Sequence, residues 1–296
     1  MDARLASVLA EWPRIGRLHS VFARVVNVLA PSGRLISLSA DSLDDAPWTI
    51  RVATVEWEAF GLEVGAAVVL EPRRITLVGV PGVVLDLRNI SKWYSSLPAA
   101  GLMRLDVLTH RATALERLLD ARGVRGGILP AASAAPIDAE IGRRLRAGCE
   151  RLTEAIREDD DGAARLAAQS LLGLGPGLTP AGDDFMAGLA LVAAVPGTRL
   201  GAVSRVLRAV LDGCPDQTTL VSRTTLREAV DGRARESLLG ILNRVFAAPR
   251  GDEAQFAEHL RVPMERALGI GHTSGTDILS GLVAGLRLEI ELRGSM

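Results

Sequence analysis

Between about His19 and Asn89 the apolar residues come in short runs rich in β-branched side chains, each closed by a turn signal. Val21 to Leu29 is followed by Pro31-Ser32-Gly33. Leu35 to Leu38, Trp48 to Val55, Ala66 to Leu70, Ile75 to Val78 and Val83 to Leu87 continue the series, with Pro81-Gly82 as the turn before the last run. Runs of this length and spacing predict strands, and together a compact antiparallel sheet or small barrel. After Pro98 the apolar period lengthens to that of a helix. Leu105, Leu108, Leu115, Leu118 and Leu119 share one face of a segment from Leu102 to Arg122 that stops at Gly123. Further helices are predicted over Ile137–Glu158, Ala163–Leu172, Gly182–Val195, Leu200–Leu211, Thr218–Val230, Ala234–Ala247, Glu253–Leu268 and Gly275–Leu292. The chain therefore reads as α+β, with a β-rich domain over 1–98 and a helical domain over 99–296.

Composition narrows the class without naming a function. A chain of 296 residues, 48% hydrophobic and with a formal net charge of −1, can fill two cores. The balance of charge excludes the basic domain expected of a nucleic-acid binder. No run approaches the roughly 20 apolar residues needed to span a bilayer. Met1-Asp2-Ala3-Arg4 leads into an amphipathic segment with Glu11 and Arg14, not into a signal core, so the cytoplasm is the expected compartment. Cys149 and Cys214 form no CxxC pair, which argues against a disulfide framework or a cysteine zinc site. Thirty-three arginines accompany a single lysine, Lys92, the only candidate for lysine chemistry. Asp159-Asp160-Asp161 reads as a solvated turn.

The densest chemistry lies in Gly173-Leu174-Gly175-Pro176-Gly177-Leu178-Thr179-Pro180-Ala181-Gly182-Asp183-Asp184. Such a segment cannot be regular structure, because Gly loses the most backbone freedom on ordering and Pro lacks an N–H. It predicts a tight loop feeding a helix that starts near Gly182. Backbone N–H groups of Gly175, Gly177 and Gly182, with the Thr179 hydroxyl and the positive end of the helix dipole, can hold a small anion. The same pattern also fits a long helix connection with a good N-cap.

A second segment repeats the first. Gly182-Asp183-Asp184-Phe185-Met186-Ala187-Gly188-Leu189 aligns without gaps with Gly275-Thr276-Asp277-Ile278-Leu279-Ser280-Gly281-Leu282. Each follows a Gly/Thr-rich turn, the later one being Gly269-Ile270-Gly271-His272-Thr273-Ser274. Each places an Asp in the first helical turn and a Gly one turn on, on the same face, where another backbone can approach. Two similar helix starts packed through small residues would explain this. So would a pseudo-symmetric site in which Asp184 and Asp277 orient one ligand. In that reading His272 is a general acid/base or a donor to a carbonyl, its other use being to orient the loop. Asp183, Thr273, Ser274 and Gly275 then line the pocket. His19, His110 and His259 have no metal-ligand partner at useful spacing. Thr218, Thr219, Ser222 and Arg223 form a third polar cluster, whose hydroxyls and guanidinium can complete an anion pocket or simply cap a helix.

The glycine string, the Thr218-Thr219-x-x-Ser222 helix and His272-Thr273-Ser274-Gly275-x-Asp277 together resemble the AllH-like family, formerly catalogued as a domain of unknown function. The resemblance covers most of the helical domain, and Ala181 stands where the family more often carries Ser. It implies a subunit of oxamate carbamoyltransferase in allantoin and purine breakdown. Such a subunit works with partner subunits on small anions such as carbamoyl phosphate or oxamate. Carbamoyl transfer needs oxyanion and phosphate stabilisation more than a strong base, which suits the loop. On this reading Asp184, His272 and Asp277 are catalytic, and no cofactor or dedicated metal is required. The alternative is a nucleotide-dependent phosphotransferase, the loop holding phosphates and Asp184 or Asp277 holding Mg²⁺. Against it stand the missing Gly-Lys-Ser/Thr element and the position of Lys92. A non-catalytic assembly subunit is the third reading.

Overall fold

In a computed structural model of the chain the described residues are 1–10, 14–53, 56–79, 83–99, 103–133, 135–247 and 255–295. They fall into two compact units, Met1–Ser95 and Ser96–Met296. Pro81-Gly82, Glu11, Leu102, Thr54-Val55 and the start of the helix predicted from Glu253 lie outside the described residues.

The first unit opens with helix α1 (Ala3–Leu9) and holds seven strands: β1 (Arg14–Val21), β2 (Val25–Leu29), β3 (Leu35–Ala40), β4 (Thr49–Val52), β5 (Ala67–Glu71), β6 (Arg74–Leu77) and β7 (Val84–Asp86). Their order, β4-β3-β2-β1-β5-β6-β7, makes a nearly closed, barrel-like sheet. Inward positions alternate with outward ones, so Leu18, Val26, Val28, Ile36, Leu38, Val68, Leu70 and Ile75 fill the core with Trp57 and α1 residues Leu5 and Leu9. Two features depart from the expected pattern. The run Val21–Leu29 splits at a hairpin into β1 and β2, and β1 reaches back to Arg14. Its arginines and His19 hide it from a hydrophobicity reading, and Gly16 is required there because a Cβ would stand 2.8 Å from the Leu29 carbonyl oxygen. The sheet is also not wholly antiparallel: β3 and β4 pair in parallel.

The second unit is helical: α2 (Leu105–Arg122), α3 (Pro136–Arg157), α4 (Asp161–Leu171), α5 (Ala181–Ala193), α6 (Gly201–Gly213), α7 (Leu220–Val230), α8 (Glu236–Phe246), α9 (Phe256–Leu268) and α10 (Ser274–Gly294). Every residue of α5 from Ala181 to Val192 is buried, as are most of α10. A helix apolar all round belongs in a core, and these two form the centre about which the others pack. The acidic triplet resolves into a cap: Asp160 accepts the Ala163 N–H, and Asp161 pairs with Arg205. Both cysteines are free, and burial pushes the Cys149 thiol pKa well above its usual range. Among the described residues no helix is long and apolar enough to cross a membrane.

Candidate functional site

The two repeated sequences build matching pieces of structure. At the end of α4, Leu174 N–H donates to the Leu171 carbonyl (2.9 Å) and Gly182 N–H to the Leu174 carbonyl (3.0 Å). At the end of α9, Ile270 N–H donates to the Ala267 carbonyl (3.1 Å) and Gly275 N–H to the Ile270 carbonyl (3.0 Å). A Cβ on Gly182 would lie 2.2 Å from the Leu171 oxygen, and one on Gly275 would lie 2.0 Å from the Ala267 oxygen. Each helix therefore starts wedged against the end of the one before it, which only Gly allows. Further along, a Cβ on Gly188 would meet the Ile278 oxygen at 1.9 Å, and one on Gly281 the Phe185 oxygen at 1.9 Å. The contacts are reciprocal between equivalent residues, so α4–α5 and α9–α10 are related by a local two-fold through the Gly188–Gly281 crossing.

That relation brings both helix N-termini to the same end. Thr179 and Ser274 hydroxyls hydrogen-bond at 2.8 Å across it. Asp184 and Asp277 lie beneath, 3% and 0% exposed, and Oδ2 of each has no hydrogen-bond partner among the described residues. Burial lifts the Asp184 pKa to about 8, the facing Ser274 hydroxyl opposes this, and the negative charge of Asp277 reinforces it. Burial lifts Asp277 to about 6, less far because the Ile128 N–H and the Thr273 hydroxyl stabilise its anion. A buried carboxyl with a free oxygen is costly, and here two stand together.

The glycine loop bends over this end. Gly175 and Gly177 have φ of +123° and +94°, and Pro176, Gly177 and Leu178 are exposed. From Gly175 to Thr179 no backbone N–H donates to a described residue. The third polar cluster is placed differently from the first two. Thr218 and Ser222 hydroxyls both donate to Asp183 Oδ2, the latter at 2.6 Å, while Gly173 N–H donates to Oδ1 at 2.8 Å. Asp183 thus ties the loop and α7 together. Thr219 is the N-cap of α7, accepting from Ser222 N–H (3.1 Å) and donating to the Leu178 carbonyl (2.5 Å). Arg223 donates to the Pro215 carbonyl at 2.7 Å. His272 is exposed in the turn before α10, with no hydrogen bond among the described residues.

One wall was not visible in sequence: the connection between α2 and α3. Val124 N–H donates to the Thr276 hydroxyl (2.8 Å) and Ile128 N–H to Asp277 Oδ1 (2.7 Å). A Cβ on Gly127 would fall 2.2 Å from that same oxygen. The glycines of Gly123-x-x-Gly126-Gly127 were the available signal, but nothing in the local sequence says which carboxylate they approach. Among the described residues no group of three His, Cys, Asp or Glu side chains is placed to hold a metal ion.

The N-terminal residues 1–92 match the family model described as the AllH family N-terminal domain, and residues 171–286 match that of oxamate carbamoyltransferase subunit AllH. The second match encloses both glycine turns and both helix starts. No solved structure matches the chain.

Proposed function

The chain belongs to the AllH family of oxamate carbamoyltransferase subunits, and on that premise we propose that its own α5–α10 site binds the small carbamoyl or amide-bearing anion of the reaction. The observation that carries this reading is the pair of buried carboxyls, each with an oxygen that has no partner among the described residues, under a loop whose N–H groups from Gly175 to Thr179 find no acceptor among them either. The loop N–H groups and two helix dipoles favour negative charge. The carboxyls suit the amide end of the same molecule. Thr179, Ser274 and Thr273 orient the carboxyls, and Asp183 with Thr218, Thr219 and Ser222 holds the loop in shape. His272, exposed at the rim, is the candidate donor to a ligand carbonyl. The family's designation as a subunit supports partner chains that complete the transfer.

Calorimetric titration of the full chain with oxamate, carbamoyl phosphate and Mg-ATP tests this. Heat with oxamate or carbamoyl phosphate is expected. Asp184→Ala and Asp277→Ala should each weaken binding by at least about tenfold, the scale of a lost hydrogen bond to a charged group, in protein that still melts cooperatively. Heat with Mg-ATP alone, or with none of the three, overturns the reading.

A further inference from the structure

The local two-fold gives Asp184 and Asp277 equivalent places but not equivalent surroundings. Asp277 Oδ1 receives a main-chain N–H from Ile128 at 2.7 Å. A main-chain N–H can only donate, so it fixes Oδ1 as an acceptor and favours the ionised form of Asp277, while Oδ2, which also lies against Gly127, has no partner among the described residues. Among the described residues no main-chain donor serves Asp184 in this way. Its neighbours are the Thr179 and Ser274 hydroxyls, already linked to each other at 2.8 Å. Hydroxyls can turn to donate or accept, so they can serve a carboxylic acid as well as a carboxylate. The other titratable groups facing the pair favour the acid at Asp184. Asp183 is held as an acceptor by three donors, and the Cys149 thiol stays protonated in its buried setting. Burial raises Asp183 and Asp277 as well, and the negative charge either carries disfavours a further one at Asp184.

We infer that the pair reads an amide: Asp277 Oδ2 accepts an N–H of the ligand while the Asp184 carboxyl donates to the ligand's carbonyl oxygen, so that the site selects oxamate over oxalate. This rests on the binding site proposed above and gives its two carboxyls separate jobs. Oxalate has a carboxylate where oxamate has its amide. It brings an acceptor and a negative charge against Asp277, which needs a donor. A site that leaves a buried polar group unpaired rejects the wrong analogue.

The experiment is titration of the full chain with oxamate and with oxalate. Wild-type protein should bind oxamate at least about tenfold more tightly. In Asp184→Asn the amide NH₂ still donates, and that preference should persist. In Asp277→Asn the side-chain oxygen stays with Ile128 N–H and the NH₂ faces the ligand, so oxamate should weaken, oxalate should gain, and the ratio should fall to about one or invert. An unchanged ratio in folded Asp277→Asn overturns the inference but leaves the binding site standing. Equal wild-type affinities overturn it as well, whether or not the variant folds. Failure of folded wild-type protein to bind either ligand overturns the site itself.

Discussion

Carboxyls buried as deeply as Asp184 and Asp277 tie stability to pH in an unusual direction. Most folded-state carboxylates have depressed pKa values and lose stability in acid. Here burial raises Asp184 to about 8 and Asp277 to about 6, from 3.8 in the unfolded chain. As pH rises from about 4 to about 8, the unfolded chain has already released protons that the folded chain still holds. Their contribution is therefore full below the unfolded pKa and is lost as pH climbs through the folded values. Melting temperatures across a buffer series should show stability falling from pH 4 to pH 8 and levelling above it. Asp184→Asn should flatten the upper part of that slope, between about 6 and 8, and leave the variant at least as stable as wild type at pH 8. An unchanged slope in Asp184→Asn would mean that Asp184 is ionised in the folded protein. At this scale Asp184, Asp277, Thr179 and Ser274 were legible in the sequence because local spacing marks a helix start. The roles of Thr218 and Ser222 were not, because only the fold turns their hydroxyls onto Asp183. Ile128 was invisible for the same reason: its contribution is a backbone N–H.

The α5–α10 crossing depends on two glycines with no tolerance. An alanine at 188 or 281 puts a methyl group 1.9 Å from a main-chain oxygen of the facing helix, and neither backbone can move without unpacking the core. Overpacking of this kind costs on the order of 1–3 kcal/mol or more. Gly188→Ala and Gly281→Ala should each lower the unfolding free energy from denaturant titration by about 3 kcal/mol or more, and should weaken ligand binding by splaying the two N-termini. Gly177→Ala is the control: its φ of +94° makes alanine strained, but no atom lies within 4 Å of the added carbon. Its cost should be about 1–2 kcal/mol, from backbone strain alone. Equal losses at Gly177 and Gly188 would contradict the close crossing. The helices were readable in outline because a 3.6-residue period extends over several turns, and the repeat of Gly-x-Asp-apolar-apolar-small-Gly-Leu marked the pair that cross. Their ends shifted where side chains decide the cap, as at Thr219, which caps α7 where the helix was expected from Thr218. The strands were readable as runs, but β1 was too polar to register. The parallel pairing of β4 with β3 is a choice of partner that one strand's sequence does not carry.

Every group assigned to ligand binding lies in Ser96–Met296, while Met1–Ser95 has its own apolar core around Leu18, Ile36, Leu70 and Trp57. The two family matches, over residues 1–92 and 171–286, fall on either side of that division. A unit with a separate core does not need the other to fold, and a site built from one unit's helices does not need the other to bind. A fragment of residues 96–296 should therefore melt cooperatively and bind oxamate within about threefold of the full chain, inside the context dependence of a single interaction. A fragment of residues 1–95 should fold and bind none. If folded 96–296 loses oxamate while the full chain binds it, the barrel-like unit is part of the site. If binding is retained, that unit serves another purpose, and for a subunit of a multi-chain transferase the physical candidate is the contact with its partners. Mixing the 1–95 fragment with partner subunits and measuring co-elution then distinguishes a docking module from a spacer.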